Sequence, residues 1–274
     1  MNRGSARCTD RTPQRGVPTL AITFVIFIIG LVRTACAVQV LEEEIERKYV
    51  LDPDATLNVS NTDGSIQIYG SDRSEISIHA IKRAYTQERL KSIVVEVKAT
   101  PKNVAIETIM PPRKKGLSLS DRSGTVEYVI TVPQTIQITK LDLVNGEMLV
   151  AGLRGGSATA HLVNGLLTAR NCFGDLDFTI VNGHLEAVYD WWDNRKFFVR
   201  LSSSHGNIRA IIPSDASAGI TAETKTGRVA NAFEIQKEVT REPAHSLEFA
   251  TKPTPETHFE INSASGNIRI DKAY

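Results

Sequence analysis

The sequence predicts an all-β fold, a single β-solenoid of stacked coils about 18–20 residues long. Three observations predict it. Glycines recur at a near-constant interval, each opens the same alternating phrase, and the composition suits strands. Hydrophobic residues make up 41% of the 274-residue chain but aromatics only 6%. The core must therefore be built from Val, Ile, Leu and Ala, and branched side chains fit a pleated, half-buried surface.

The interval is clearest in the middle of the chain. Gly146, Gly156, Gly165, Gly174 and Gly183 lie 10, 9, 9 and 9 residues apart. Three of them are Asn-Gly pairs, at Asn145-Gly146, Asn164-Gly165 and Asn182-Gly183. The unit is thus about 18 residues, made of two halves. Each glycine is followed by the pattern variable, apolar, variable, apolar. The inward pairs are Met148 and Val150, Ala158 and Ala160, Leu167 and Ala169, Leu176 and Phe178, and Leu185 and Ala187. Period-2 alternation is the strand signal, and the glycine marks a backbone turn that a β-carbon would obstruct. Asn-Gly also suits a two-residue hairpin, but an even metre with small inward residues favours winding over hairpins.

The phrase returns at wider spacing. Gly64 leads to Ile66 and Ile68, Gly124 to Val126 and Tyr128, Gly206 to Ile208 and Ala210, Gly227 to Val229, and Gly266 to Ile268 and Ile270. The gaps 69–123, 188–203 and 231–260 read as insertions. Residues 86–93 fit a short helix, with Thr86 as cap and Leu90 and Ile93 as its packed face. Pro111-Pro112 before Arg113, Lys114 and Lys115 reads as an exposed loop, and Pro253 and Pro255 mark another.

The first 37 residues read as a signal peptide, with residues 38–274 as the solenoid domain. Arg3, Arg7, Arg11 and Arg15 precede an apolar run from Val17 to Val32, followed by Ala35-Cys36-Ala37. Cleavage after Ala37 would leave no membrane span in the mature chain. The run is shorter than the ~20 residues a spanning helix needs, yet retention of residues 17–32 as an anchor is the alternative. Arg33 stands where a lipobox carries an aliphatic residue, which argues against lipidation at Cys36. Residues 1–37 hold five Arg and one Asp, leaving 27 basic and 30 acidic residues beyond them. A mildly acidic domain offers no electrostatic case for nucleic acid. Cys172 is alone after cleavage, so no internal disulfide forms.

Certain phrases are similar to a known family. They are Ser204-His205-Gly206-Asn207-Ile208, Ile212-Pro213, Thr221-Ala222-Glu223-Thr224-Lys225-Thr226-Gly227, and Asn262-Ser263-Ala264-Ser265-Gly266-Asn267-Ile268. Val132-Pro133 leading to Val144-Asn145-Gly146 matches as well. Across roughly residues 50–270 the chain resembles the bacterial putative-adhesin family, a domain of unknown function. The resemblance implies a right-handed β-solenoid in an exported or envelope protein, and it brings no catalytic residues. Where that family usually carries Asp after the glycine, this chain has Glu147, Leu166, His184, Asn207, Arg228 and Asn267. The departure removes the basis for a shared ion-binding ladder.

Several groups could carry chemistry. Asn145, Asn164 and Asn182 should stack one per coil, as a hydrogen-bonded ladder or as a ligand-binding ridge. Asp175 and Asp177 point outward on one strand, beside Ser157, Thr159, His184 and Glu186 by the repeat. Paired carboxylates ~5–9 Å apart serve glycoside hydrolysis, but the face shows no cluster of acids and no paired base, which favours a polar solvated face. His79, His161, His184, His205, His245 and His258 show no metal spacing, so neither metal nor cofactor is expected. No nucleophile elbow, P-loop or dinucleotide fingerprint occurs.

The segment Tyr189-Asp190-Trp191-Trp192-Asp193-Asn194-Arg195-Lys196-Phe197-Phe198 holds both tryptophans. Aromatic and Arg side chains dominate binding hot spots, so Tyr189, Trp191, Trp192, Arg195 and Phe197 are the candidate partner-binding residues. Packing over the solenoid is the competing role. The expected function is an exported, non-enzymatic, adhesin-like module of the periplasm, envelope or surface, with an envelope glycan or protein as partner. The alternatives are a β-helix carbohydrate-active enzyme using Asp175, Asp177 or Glu186, and a membrane-anchored extracytoplasmic sensor.

Overall fold

A computed structural model describes residues 40–112, 124–233 and 245–273. The signal-like segment and the basic residues 113–115 lie outside them. Among the described residues, fifteen strands and one helix follow in chain order. They are β1 (Leu41–Val50), β2 (Thr56–Ser71), β3 (Glu75–Ala84), α1 (Gln87–Ser92), β4 (Val94–Thr100), β5 (Asn103–Ile109), β6 (Thr125–Pro133), β7 (Gln137–Ala151), β8 (Arg154–Arg170), β9 (Phe173–Val188), β10 (Phe198–Pro213), β11 (Ala218–Thr224), β12 (Val229–Asn231), β13 (Ser246–Ala250), β14 (Thr257–Ser265) and β15 (Ile268–Ala273). The architecture is all-β and solenoid-like, as the glycine metre predicts.

The long strands explain the metre. In β8, Ala158, Ala160 and Leu162 are buried before the Asn-Gly pair, and Leu167 and Ala169 after it. The buried positions switch from even to odd at the corner. A straight strand keeps its parity, so the strand bends at Gly165 and both halves turn their apolar side chains to one core. β7, β9 and β10 repeat the switch, with Leu143 then Met148, Ile180 then Leu185, and Leu201 then Ile208. Hydrogen bonding continues through the bend, so the Asn-Gly corner is a fold in one strand rather than a loop between two. The other corner is a true break, at residues 171–172 for example.

The corner demands glycine by contact. Gly64, Gly146, Gly165, Gly183 and Gly206 stand in register, one above the next. A β-carbon on Gly146 would collide with the carbonyl oxygen of Gly64, and one on Gly165 with that of Gly146. At the second corner, Gly156 and Gly174 keep ordinary φ and are needed for closeness alone.

Each bent strand therefore contributes to two facing layers. The layer before the corner runs β4-β5-β2-β7-β8-β9-β10-β14-β11-β13. The layer after it runs β1-β3-β6-β2-β7-β8-β9-β10-β15-β12. The core between them is filled by matching volumes along the stack. Ala158 and Ala160 of β8 lie beside Leu176 and Phe178 of β9. Each fully buried Leu or Ile contributes about 1.5–3 kcal/mol by leaving water.

The winding is not sequential throughout. The coil β5–β6 precedes β2 in the stack although it follows β2 in the chain. The last coil, β14–β15, is inserted between β10 and the β11–β12 coil. The expected insertion 69–123 thus contains β3, α1, β4 and β5, and most of these complete the stack's first end. The helix forms as predicted, with the Thr86 hydroxyl accepting from the Arg89 N–H and Leu90 buried. Antiparallel strands cover the ends. On β1, Glu42, Glu43 and Glu44 pair with Arg83, Lys82 and His79 of β3, a charged edge that resists sheet-to-sheet association. Among the described residues no helix is long and apolar enough to cross a membrane.

Candidate functional site

The segment between β9 and β10 spans the second corner, where the chain passes from one layer to the other. Its path is held from within. The Tyr189 N–H donates to Ile211 O at 2.9 Å, and the Tyr189 hydroxyl to Cys172 O at 3.1 Å. Tyr189 and Phe197 are buried, with their rings 6.1 Å apart and stacked. Trp192 is half-buried, at 5.6 Å from both the Tyr189 and Phe197 ring centroids. Of the five residues the sequence nominates, Tyr189 and Phe197 are therefore floor and not surface. Their apolar area is covered by Phe173 and Phe259, which tertiary contact brings in from other coils.

Trp191, with 43% of its surface exposed, and Arg195 are the nominated residues that reach solvent. The Trp191 ring lies 4.3 Å from that of Phe173, tilted by 47°. The Arg154 guanidinium lies 5.0 Å from the Trp191 ring centroid, a cation–π distance. Arg154 Nη2 and Arg195 Nε each reach Asp193 Oδ2 at 3.0 Å. Two guanidiniums share one carboxylate, so the edge carries excess positive charge beside an exposed indole. Such a surface can hold an apolar ring face together with an anion. Arg154, on β8, is a residue sequence reasoning missed, although Arg154, Phe173 and Trp191 lie 19 and 18 residues apart, the same metre as the Asn-Gly pairs, and that spacing is the signal that could have found it.

Beside this edge, Arg170 Nε and Asn171 Nδ2 both donate to Asp190 Oδ2 at 2.9 Å. These hydrogen bonds hold the Asp190 carboxyl below the usual carboxylate range. Burial pushes the Cys172 thiol up to about 11, so it stays protonated and packs as a small apolar group. Burial likewise pushes the Tyr128 phenol up to about 12, against the opposing hydrogen bond with Thr108.

The acids of the enzymatic alternative do not converge. Asp175 and Asp177 lie on β9 before the Asn-Gly corner, while Glu186 and His184 lie after it, on the opposite layer. The expected common outward face is thus two faces, because the bend at Gly183 separates them. Asp175 Oδ1 accepts the Phe198 N–H at 2.8 Å. Arg200 stands between Asp177 and Glu260, at 3.7 and 3.1 Å, in an exposed cross-strand ladder. Among the described residues no group of three or more His, Cys, Asp or Glu is placed to hold a metal ion.

The Asn column forms its ladder. Asn182 Nδ2 donates to Asn164 Oδ1 at 3.0 Å, Asn164 Nδ2 to Asn145 Oδ1 at 2.8 Å, and Asn145 Nδ2 to Asp63 Oδ1 at 2.7 Å. The amides spend their hydrogen-bonding capacity on one another, which is the structural role.

With this geometry in place, the family follows. The model of the Toastrack DUF4097 family matches residues 42–271. The chain belongs to that family. The Toastrack assignment bears out the resemblance carried by the Gly-Asn-Ile phrases. No curated protein matches the chain. Among solved structures, the Toastrack chain is similar to a "putative cell adhesion protein" from Clostridium sporogenes. The identity is 17% over 84% of this chain and 100% of that one, with a TM-score of 0.49. A "putative lipid binding protein" from Parabacteroides distasonis matches at 11% identity over 85% and 97%, with a TM-score of 0.31. A "putative adhesin" from Bacteroides fragilis matches at 12% identity over 84% and 97%, with a TM-score of 0.27.

Proposed function

We propose that the protein is an exported, non-enzymatic recognition module of the cell envelope or surface, and that it binds its partner at the Trp191 edge. The observation that carries this reading is an exposed indole mounted on a buried aromatic floor, with the Arg154 guanidinium over its ring and Asp193 bridging Arg154 to Arg195. A floor of Tyr189, Phe197, Phe173 and Phe259 holds Trp191 and Trp192 in place, so little side-chain entropy is lost on binding. The arginine-rich n-region, apolar run and Ala35-Cys36-Ala37 support export. The dispersal of Asp175, Asp177 and Glu186 over two faces favours recognition over glycoside hydrolysis.

Co-sedimentation with membrane, peptidoglycan and polysaccharide fractions of the source cell tests the reading. The expected result is saturable binding to one fraction, weakened at least about tenfold in Trp191→Ala/Trp192→Ala, since aromatic hot spots contribute ~2 kcal/mol or more. Binding that is unchanged in the double variant overturns the site, and the absence of binding to every fraction overturns the recognition role.

A further inference from the structure

The outer surface of the layer before the corner carries a second concavity. It measures about 310 Å³ and crosses β9, β10, β14 and β11. Short side chains make it, where Thr179, Ser202 and Asn262 stand in one cross-strand row and Ser204 and Ala264 in the next. The longer Arg200 and Glu260 rise along one side. Glu223 on β11 and Lys225 just beyond it close the end.

Several of its hydrogen-bonding groups are unspent within the described residues. Arg200 is spent on Asp177 and Glu260, and Lys140 on Asp142. The hydroxyls of Thr179, Ser202 and Ser204, the Lys225 ammonium and the Glu223 carboxylate make no side-chain hydrogen bond or ion pair with other described residues. Asn262 is held in place, its Nδ2 donating to Glu260 Oε1 at 3.0 Å. Four of these uncommitted groups, Thr179, Ser202, Ser204 and Glu223, sit on β9, β10 and β11, with β14 between the last two, at the ~4.8 Å strand spacing, and Lys225 follows β11 directly.

From this array we infer that the groove is a saccharide subsite selective for a ring bearing both hydroxyls and a carboxylate, a uronic acid unit. The serine and threonine hydroxyls exchange hydrogen bonds with ring hydroxyls. Glu223 accepts from a vicinal hydroxyl pair, and Lys225 takes the sugar carboxylate through a charge-assisted bond, the strongest type available there. The volume suits one or two sugar rings, near the lower bound of small-molecule sites. The inference rests on the reading of the chain as a recognition module, but it concerns a different surface from the Trp191 edge.

Titration of the purified protein with methyl glucuronide and methyl glucoside, followed by amide chemical shifts, tests it. Saturable shifts at Ser202, Ser204, Asn262 and Lys225 are expected. The glucuronide should bind about tenfold more tightly than the glucoside, the effect of one charge-assisted hydrogen bond. Lys225→Met should abolish that difference and Glu223→Gln should weaken both sugars, while the exposed positions leave the fold intact. Equal affinity for the two sugars, shifts confined to the Trp191 edge, or no saturable shift overturns the subsite. The two readings fail separately. Fraction binding lost in Trp191→Ala/Trp192→Ala with no glucuronide shift removes the groove alone, and glucuronide binding together with fraction binding that is unchanged in Trp191→Ala/Trp192→Ala removes the Trp191 edge alone.

Discussion

At Gly165 the backbone has φ of +139° and a β-carbon would strike the Gly146 carbonyl oxygen. Both penalties fall on the same residue, and the neighbour is backbone with nowhere to move. Gly165→Ala should therefore destabilise the protein by roughly 3 kcal/mol, combining unfavourable backbone strain with overpacking. Urea denaturation checks this, and a loss below about 0.5 kcal/mol would mean that the corner can open. The neighbouring ladder contributes less. Asn164 donates to Asn145 and accepts from Asn182, but it is exposed, and each such bond is worth about 0.5–1.5 kcal/mol. These residues were legible in the sequence because Asn-Gly encodes a local backbone demand. Trp191 was equally legible as an aromatic outlier. Its partners Phe173 and Arg154 were not picked out, although they precede it by one and two units of the metre, because only the stacking of coils turns that spacing into contact.

Among the elements, the C-terminal coil β14–β15 has the most distinctive place. Among the described residues, β11 pairs only with β14 and β13, and β12 only with β15. Both depend on a segment that comes later in the chain. Deleting residues 257–274 should leave β11 and β12 without their parallel partners, leave β13 tied only to β11, and expose the edge of β10. Hydrogen exchange should then show amides 218–231 and 246–250 losing protection, while β7 and β8 remain protected, because stacked coils stabilise their nearest neighbours most. Retained protection at 218–231 would mean that β11 docks on β10 directly. This coil order was hidden because the phrase Gly266-Asn267-Ile268 resembles the others. A repeated phrase identifies a rung and not its position.

For the whole molecule, acid stability follows from its surface pairs. The Arg170 and Asn171 bonds hold the Asp190 carboxyl low. Burial pushes the Asp271 carboxyl up, but Arg269 and Arg209 outweigh it, so that group is lowered as well. Folded-state values below the ordinary 3.8 mean that the ionised pairs stabilise the native state above that pH, and that this contribution is lost as pH falls through the folded values. The urea midpoint should thus drop below about pH 4. The double variant Asp190→Asn/Asp271→Asn should be less stable at neutral pH and should show a shallower acid decline. An unchanged acid decline in that variant would assign the effect to other carboxylates. The charged edge of β1 belongs to the same scale, since it ends a stack that could otherwise continue into another molecule.

The sequence by itself determined the all-β class, the 18-residue metre, the corner glycines, the inward residues of each phrase and the short helix at Gln87–Ser92. All of these are local: a positive φ, a two-residue period or a capping hydroxyl is set within a few residues. Only the tertiary structure decided which coil lies beside which, which face each outward acid occupies, and which nominated aromatics reach solvent. Those depend on contacts between residues far apart in the chain. The parity switch at Asn-Gly shows the dividing line. Asp177 and Glu186 look like neighbours in the repeat, yet a bend nine residues wide puts them on opposite sides of the core.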